Sequence, residues 1–153
     1  MRNDSGRRHL AIYPFVLTLD MRFGDMDVWR HLNNVSAVQF YEEGRIRFMN
    51  HVRADHPDFG AHRFRLMVAH AAVDYLAEGE YPHPITVGVG IASLGTRSYR
   101  VGHALFQRDR CIGLCDVVLA HIGEGGTSPL PDVMRTTLEH YVLRPLPAGK
   151  RVG

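Results

Sequence analysis

Alternating hydrophobic and polar positions characterise residues 13–22 of the chain. Phe15, Leu17 and Leu19 fall on one side of an extended segment, with Thr18 among the residues on the other. Such a period of two is typical of a half-buried β-strand, because successive side chains point to opposite faces. The sequence therefore predicts a first strand that packs one face on a core.

The pattern changes to helical spacing after this strand. Over residues 35–49 apolar residues recur every three or four positions, with no proline and one glycine. Asn33 and Asn34 come just before, and asparagine is favoured at a helix start because its side chain accepts a hydrogen bond from an unpaired backbone N–H. We expect a capped amphipathic helix, followed by a loop over 51–62, where His, Asp, Pro and Gly are frequent.

Four apolar segments separated by short breaks follow this helix. They cover residues 64–76, 85–94, 97–107 and 111–122. Five strands with short connections predict an antiparallel sheet, and the amphipathic helix must bury its apolar face against it. Gly88 and Gly90 leave one face of the third strand bare, which suits close approach of another backbone or a bend. A final helix is predicted over residues 131–141.

The two chain ends lack these patterns. Residues 1–10 are mostly polar, and we expect residues 1–12 to form a mobile tail in which Arg7 and Arg8 are solvated. Residues 144–153 contain two prolines and are expected to be irregular. A single domain remains over residues 13–143, a length that can bury a hydrophobic core.

Composition excludes several classes of protein. The chain has 18 Lys and Arg against 16 Asp and Glu, a formal net charge of +2, and no basic stripe, so nucleic-acid binding is not indicated. No apolar run approaches the ~20 residues that a membrane span needs, and the N-terminus lacks the apolar region of a signal peptide. These features favour a cytoplasmic protein.

The cysteine content adds no cross-link or metal site. Cys111 and Cys115 stand four positions apart, roughly 13 Å along a strand, which is beyond the reach of a disulfide. No further residues near this pair have zinc-ligand spacing. We expect two buried or half-buried thiols and no metal or cofactor.

Two acids lie between the first strand and the helix. One residue, Met26, separates Asp25 from Asp27. Asp25 is expected to be structural. Unpaired amides at a helix start carry partial positive charge and can hold an oxyanion, so an acid beside them suits hydrolysis. A lone Asp27 would more often be a turn or capping residue, and both roles stay open.

The order of these residues carries a family resemblance. The chain resembles the 4-hydroxybenzoyl-CoA thioesterase and acyl-CoA thioesterase family of hotdog-fold proteins, through the motif D-x-D-x-x-x-H-L-N-N followed by F-Y-E-E-G-R. Later matches lie at residues 73–76, 94–98 and 129–131. The resemblance implies an α+β hotdog fold, in which a curled antiparallel β-sheet wraps around a long central α-helix. It also implies thioester hydrolysis without a metal.

The resemblance assigns roles to the residues of the motif. It implies that Asp27 is the catalytic base or nucleophile. It also implies that the backbone amide of Asn34 polarises the thioester carbonyl, with Asn33 and Val35 as neighbours. His31 is a candidate catalytic residue. Within the motif it could orient the nucleophile, hydrogen-bond the acid or line the pocket, and a purely structural role is an equal alternative.

Further residues bear on substrate binding. In relatives the turn at Arg97 and Ser98 lies near the pantetheine and nucleotide of coenzyme A, although an exposed arginine at a strand start is an equal alternative. Ala37 replaces the usual aromatic residue, which would widen the acyl pocket. Arg30 replaces the usual glycine and so changes the expected loop geometry.

Other expectations concern the helix acids and the assembly. Glu43 is expected to pair with Arg47 at i+4, although some relatives use a helix carboxylate for catalysis. The implied substrate is an acyl-CoA or acyl-carrier-protein thioester, and the implied assembly is a homodimer or homotetramer with the site between subunits. The competing interpretation is a non-catalytic hotdog protein that binds acyl-CoA as a sensor or scaffold. Acyl length and type stay open.

Overall fold

The computed structural model describes residues 4–146 of the chain. These residues contain three α-helices and six β-strands. In chain order they are β1 (Phe15–Leu19), α1 (Asn34–Asp55), α2 (Pro57–Gly60), β2 (Leu66–Tyr75), β3 (Ile85–Leu94), β4 (Ser98–Gln107), β5 (Arg110–Gly123), β6 (Gly126–Thr127) and α3 (Asp132–Glu139). All five predicted strands and both predicted helices are present.

The strands form one antiparallel sheet with the helix α1 against it. The order across the sheet is β1-β3-β4-β5-β2, and β6 pairs only with β5. The strands β1 and β2 are therefore its edges. The core lies between α1 and the sheet, where Tyr41, Phe48 and Val52 of the helix meet Val87 and Val89 of β3. This arrangement confirms the predicted α+β architecture.

The helix α1 is longer than its sequence pattern indicates. It runs to Asp55, and residues 57–60 form α2, so the loop predicted over 51–62 is wrong for most of its length. The cause is tertiary packing: Val52 and Phe59 are 0% and 1% exposed. Burial of these side chains outweighs the turn-forming residues around them.

Residues 4–12 are packed on the sheet, which corrects the prediction of a solvated tail. They form two 3-10 turns, Ser5–Arg8 and Leu10–Ile12. Arg7 is buried, and its guanidinium donates to the Asp116 carboxylate of β5 at 2.8 Å. A buried charge requires such a partner, and this one lies 109 residues away. Arg8 is exposed, as expected.

The two glycines of β3 are closely approached by side chains rather than by another backbone. A Cβ on Gly88 would lie 2.6 Å from the Tyr13 ring, and one on Gly90 would lie 2.6 Å from Pro14 Cδ. The chain entering β1 therefore crosses the outer face of the sheet at this point. Arg144 donates its backbone N–H to Ile12 beside it. Residues 144–146 are irregular, as predicted, and the rest of that tail lies outside the described residues.

Two further findings bear on the sequence predictions. Cys111 and Cys115 are free thiols, the first half-buried and the second buried, which confirms the expectation. Within residues 4–146, no helix combines the length and the apolar character needed to cross a membrane.

Candidate active site

Asp25 is a structural residue, as expected. It is 2% exposed, and its carboxylate accepts the Arg22 backbone N–H at 2.7 Å and the Arg22 guanidinium at 2.8 Å. Burial alone would raise the pKa of Asp25, but the hydrogen bonds from Arg22 outweigh burial and hold that pKa below its usual value. The carboxylate thus fixes the turn that leads into the next acid.

We expect Asp25→Asn to lower the free energy of unfolding by about 1 kcal/mol at pH 7, because a charged acceptor is lost while the backbone bond can persist. The folded pKa lies below the unfolded value of about 3.9. The stabilisation is therefore complete above roughly pH 4 and disappears as the pH falls through the folded pKa. Urea unfolding at pH 7 and pH 3, with exposed Asp20→Asn as control, measures this difference. A loss of turnover without a loss of stability would contradict the structural role.

Asp27 closes a tight turn with its own carboxylate. Its Oδ1 atom accepts the backbone N–H of Trp29 at 2.9 Å and of His31 at 3.1 Å. The backbone of Asp27 donates to the His31 carbonyl at 2.8 Å and accepts from Arg30 at 3.0 Å. Within residues 4–146, Oδ2 has no hydrogen-bond partner. The turn therefore holds one oxygen in place and leaves the other available.

Arg30 takes the backbone conformation that glycine would take. Its φ is +68°, in the left-handed region that costs a non-glycine residue roughly 1–2 kcal/mol. Sequence reasoning expected arginine to disfavour this geometry. The four hydrogen bonds that close the turn between Asp27 and His31 offset the cost, so the glycine-type loop persists.

His31 points toward a neighbouring loop. Its Nε2 lies 3.3 Å from the Glu78 carboxylate, and both side chains are partly or largely exposed. Next to it, the Leu32 N–H donates to the Gly79 carbonyl at 2.8 Å. The contact of His31 with Asp27 runs through its backbone, since its imidazole pairs with Glu78 instead. The backbone N–H and carbonyl of His31 therefore help to close the acid turn, while its imidazole faces Glu78.

The start of α1 presents two unpaired amides. Asn33 is the N-cap, and its side chain accepts the Val35 N–H at 2.8 Å, which confirms the predicted cap and occupies that amide. Ala37 donates to the Asn33 carbonyl at 2.8 Å. Among the described residues, nothing accepts from the backbone N–H of Asn34 or of Ser36. Asn34 is an exposed residue and Ser36 is a buried one, so the Asn34 amide is the more accessible donor.

Tyr75, the last residue of β2, contacts the first residue of α1. Its hydroxyl donates to the Asn34 carbonyl at 3.3 Å, and it is 48% exposed. Asn33 donates its N–H to the Asp25 carbonyl at 2.8 Å, which ties the acid turn to the helix. Sequence reasoning did not assign a role to Tyr75, although it falls in the matched segment 73–76. Only the pairing of β2 with β5 brings it to this place.

Ala37 and Glu43 of α1 lie in different surroundings from each other. Ala37 is 4% exposed and belongs to the core between α1 and the sheet. Glu43 lines a groove of about 570 Å³ between α1 and β1, which Arg22 and Asp25 next to the acid turn also border. It pairs with Arg47 at 2.6 Å, as expected. An ion-paired carboxylate suits a structural role.

Arg97 and Ser98 lie at the opposite end of the sheet from Asp27. The acid turn is tied to Gly79, before β3 begins, whereas Arg97 follows the end of β3, where its carbonyl accepts the His121 N–H at 2.9 Å. The ten residues of β3 span about 30 Å. Within one chain the structure does not bring these predicted site residues together.

The edge strand β2 and one side of α1 carry exposed apolar residues. Met67 and Val68 are 54% and 50% exposed, and Val35, Val38 and Ile46 of the helix are 61%, 45% and 50% exposed. An edge strand of ten residues also presents unpaired backbone groups, which proteins usually cover. No cluster of His, Cys, Asp and Glu among the described residues is arranged to bind a metal ion.

Several solved proteins that are similar to this chain are described as thioesterases. The sequence model of the thioesterase-like superfamily matches residues 21–138 of this chain. A thioesterase from Thermus thermophilus, solved with coenzyme A and zinc, is 29% identical over 84% of this chain and 95% of its own, with a TM-score of 0.72. A predicted thioesterase from Bacillus stearothermophilus is 24% identical over 86% and 98%, with a TM-score of 0.73. No curated protein matches the chain.

The likeness extends to more distant hotdog proteins. A 1,4-dihydroxy-2-naphthoyl-CoA thioesterase from Synechocystis is 16% identical over 81% of this chain and 94% of its own, with a TM-score of 0.68. At this identity the likeness concerns the fold alone. Together with the helix and sheet described above, it confirms the predicted hotdog fold.

Proposed function

This chain belongs to the thioesterase-like superfamily, and from that premise we propose that it hydrolyses an acyl-CoA or acyl-carrier-protein thioester to a free acid and a thiol. The observation that carries the proposal is the acid turn at Asp27, tied to a helix start whose Asn34 amide is unpaired. Release of free thiol from an acyl-CoA by the purified protein tests it.

The proposed chemistry divides between these two groups. Asp27, with Oδ1 held by the turn and Oδ2 available, either takes a proton from the attacking water or attacks the carbonyl carbon itself. The Asn34 N–H stabilises the oxyanion that forms, a contribution of ~10²–10³ in rate for one well-placed donor. Collapse of the tetrahedral intermediate breaks the C–S bond and releases the thiolate, which takes up a proton. When water attacks, this step gives the free acid directly; when Asp27 attacks, it leaves an anhydride on Asp27 that a water then hydrolyses to the free acid. A carboxylate held by its own turn loses little freedom on reaching the reactive geometry.

Coenzyme A is the carrier for which there is direct support. The similar protein from Thermus thermophilus was solved with coenzyme A. We extend that ligand to this chain, with a carrier protein as the alternative bearer of the same thioester. The two free cysteines fit a reducing compartment, and we propose that the reaction takes place in the cytoplasm.

We propose that the working unit is a homodimer, or a homotetramer built from dimers, joined through β2. Antiparallel pairing of two copies of this edge would cover Met67 and Val68 and extend the sheet across the assembly. It would also bring the Leu66 end of one copy beside the Tyr75 end of the other. Since Arg97 lies near the Leu66 end and Asn34 near the Tyr75 end, such a dimer joins the two halves of the predicted site.

Arg97→Ala is expected to raise KM for an acyl-CoA with little change in kcat, because an arginine that holds a phosphate contributes equally to ground and transition states. The increase should shrink at high salt, since exposed ion pairs are screened. Steady-state kinetics at about 0.05 and 0.5 M salt measure both effects. An unchanged KM at low salt would leave Arg97 as an exposed residue at a strand start.

One observation favours the competing proposal of a non-catalytic sensor or scaffold. Asp27 already has a structural task, since its carboxylate closes the turn. A protein that binds acyl-CoA and uses this acid only for the turn would show saturable binding without thiol release. Equilibrium binding measured beside the hydrolysis assay separates the two functions.

A further inference from the structure

The most exposed large apolar side chains of residues 4–146 lie close to Asp27 in the chain. Val28, Trp29 and Phe23 are 86%, 74% and 73% exposed. Proteins seldom leave neighbouring large apolar side chains in water, so such a surface indicates contact with another molecule. None of these three side chains takes part in the proposed hydrolysis.

Trp29 is held by its backbone while its ring is in solvent. Its N–H donates to Asp27 Oδ1 at 2.9 Å, inside the acid turn. Within residues 4–146 the indole makes no ring contact, whereas the Phe23 ring packs on Tyr81 at 5.9 Å between centroids. A tryptophan whose backbone is already fixed loses little conformational freedom on binding, and tryptophan is enriched at the energetic centres of interfaces.

The acid turn lies at the Tyr75 end of the edge strand β2. The Tyr75 hydroxyl donates to the Asn34 carbonyl at the start of α1. Gly79, in the loop that follows β2, accepts the N–H of Leu32 at 2.8 Å. Trp29 therefore lies beyond this end of β2, next to the loop that leaves it.

An apolar hollow lies at the opposite, Leu66 end of β2. It measures about 480 Å³, and Leu66, Met67 and Ile122 form its apolar lining, with β6 on one side. Arg65 also borders it, and within residues 4–146 the guanidinium of this exposed residue has no ion-pair partner. An apolar hollow edged by a guanidinium suits an aromatic ring, because the face of the ring attracts a cation.

The edge of β2 alone is too small for a stable dimer. Its ten residues form a strip about 33 Å long and ~10 Å thick, on the order of 330 Å², whereas a specific interface buries ~800 Å² per partner. Surface beyond the two ends of the strand must therefore take part. One buried aromatic side chain adds roughly 150–250 Å², and Trp29 lies beyond one of these ends.

The two ends of β2 are complementary in a two-fold dimer. Each contact of such an interface occurs twice, so the surface must fit itself. Antiparallel pairing through β2 brings the Leu66 end of one copy beside the Tyr75 end of the other. The exposed indole of each copy then faces the apolar hollow of the other copy.

We propose that Trp29 of each copy docks in the apolar hollow of a second copy and that this contact covers the acid turn. The inference rests on the β2 dimer of the proposed function. Once the turn is covered, water is displaced from it, and the attraction between the Asn34 amide and a developing oxyanion strengthens as the local dielectric falls. A single copy therefore has an incomplete site.

Intrinsic fluorescence of the intact protein reports on Trp29 alone, because the chain contains one tryptophan. We expect the emission to shift to shorter wavelength, and quenching by acrylamide to fall, as the protein concentration rises. Both changes should follow the dimer fraction measured by sedimentation velocity. In Val68→Lys, which places a charge on the β2 edge, the indole should stay accessible to acrylamide at every concentration.

Trp29→Ala is expected to raise the dissociation constant of the dimer at least about 30-fold, as for loss of a tryptophan at the centre of an interface. Phe23→Ala is the matched control, because it removes a ring of nearly equal exposure that packs on Tyr81 of its own chain. It should change the dissociation constant by about twofold at most. Both residues are largely exposed, so the fold should persist in each variant.

A dimer whose tryptophan keeps the emission of an exposed indole overturns the proposal, as do equal effects of Trp29→Ala and Phe23→Ala. An emission shift that follows addition of an acyl-CoA at constant molecular mass assigns Trp29 to the acyl group and also overturns it. Since the readouts are fluorescence and mass, a dimer that buries Trp29 but releases no thiol refutes the proposed hydrolysis and leaves this contact standing.

Discussion

Asp27→Asn is expected to lower kcat for thioester hydrolysis by at least ~10²-fold, within the usual range for a catalytic acid–base group. Asparagine retains an oxygen that can accept the backbone N–H groups of Trp29 and His31, so the turn should persist. What disappears is the charge that activates water or attacks the carbonyl. Steady-state kinetics with one acyl-CoA, together with thermal unfolding, separate loss of chemistry from loss of the turn.

Asp25→Asn is the matched control for this substitution. It makes the same chemical change two residues away, at a carboxylate paired with Arg22, and should cost stability more than rate. If Asp27→Asn turns over at a near-native rate, Asp27 only closes its turn. Glu43, in the groove between α1 and β1, or Glu42 then becomes the leading carboxylate, or the sensor interpretation gains.

Val68→Lys is expected to dissociate the dimer and abolish most of the activity with it. Val68 lies on the edge strand β2 and is 50% exposed, and pairing of two edges would bury it. Burial of an unpaired ammonium costs several kcal/mol, so the dissociation constant should rise at least ~100-fold. Sedimentation velocity at micromolar protein measures the association, and thiol release measures the activity.

Val16→Lys provides the comparison at the other edge of the sheet. Val16 is 44% exposed on β1, so the substitution adds the same charge at a similar exposure without touching β2. A Val68→Lys protein that remains a dimer would show that the interface lies elsewhere. A fully active monomer would show that Asp27 and Asn34 need no partner.

Local patterns were sufficient to predict the strands and the helix starts. The strand over 85–94 was predicted with its observed bounds, because apolar continuity and flanking breaks are both local signals. The cap at Asn33 was equally visible, since a short polar side chain before a periodic segment is a helix signal.

Features that depend on distant partners were not predictable. The sequence around Arg7 predicts a solvated side chain. Its partner Asp116 lies 109 positions later in the chain, and only the folded sheet brings the two together. The helix α1 continues to Asp55 and α2 follows it through a histidine- and aspartate-rich stretch, because Val52 of α1 and Phe59 of α2 are buried. Neither contact leaves a pattern in the neighbouring sequence.

The candidate site also has features that the local sequence predicts and features that depend on the folded structure. The acid turn and the helix start lie within ten residues of sequence, so the motif predicted that they form one unit. The turn geometry itself was not visible, because Arg30 adopts a positive φ that only the closing hydrogen bonds stabilise. The separation of Arg97 from Asp27 follows from the strand topology.

The most direct test of the central claim is hydrolysis of a panel of acyl-CoAs, aromatic and aliphatic and of increasing chain length, followed with a thiol-reactive dye. The account predicts multiple turnovers with at least one member, without added metal, and loss of that turnover in Asp27→Asn. Saturable binding of acyl-CoA with no thiol released from any member would contradict it.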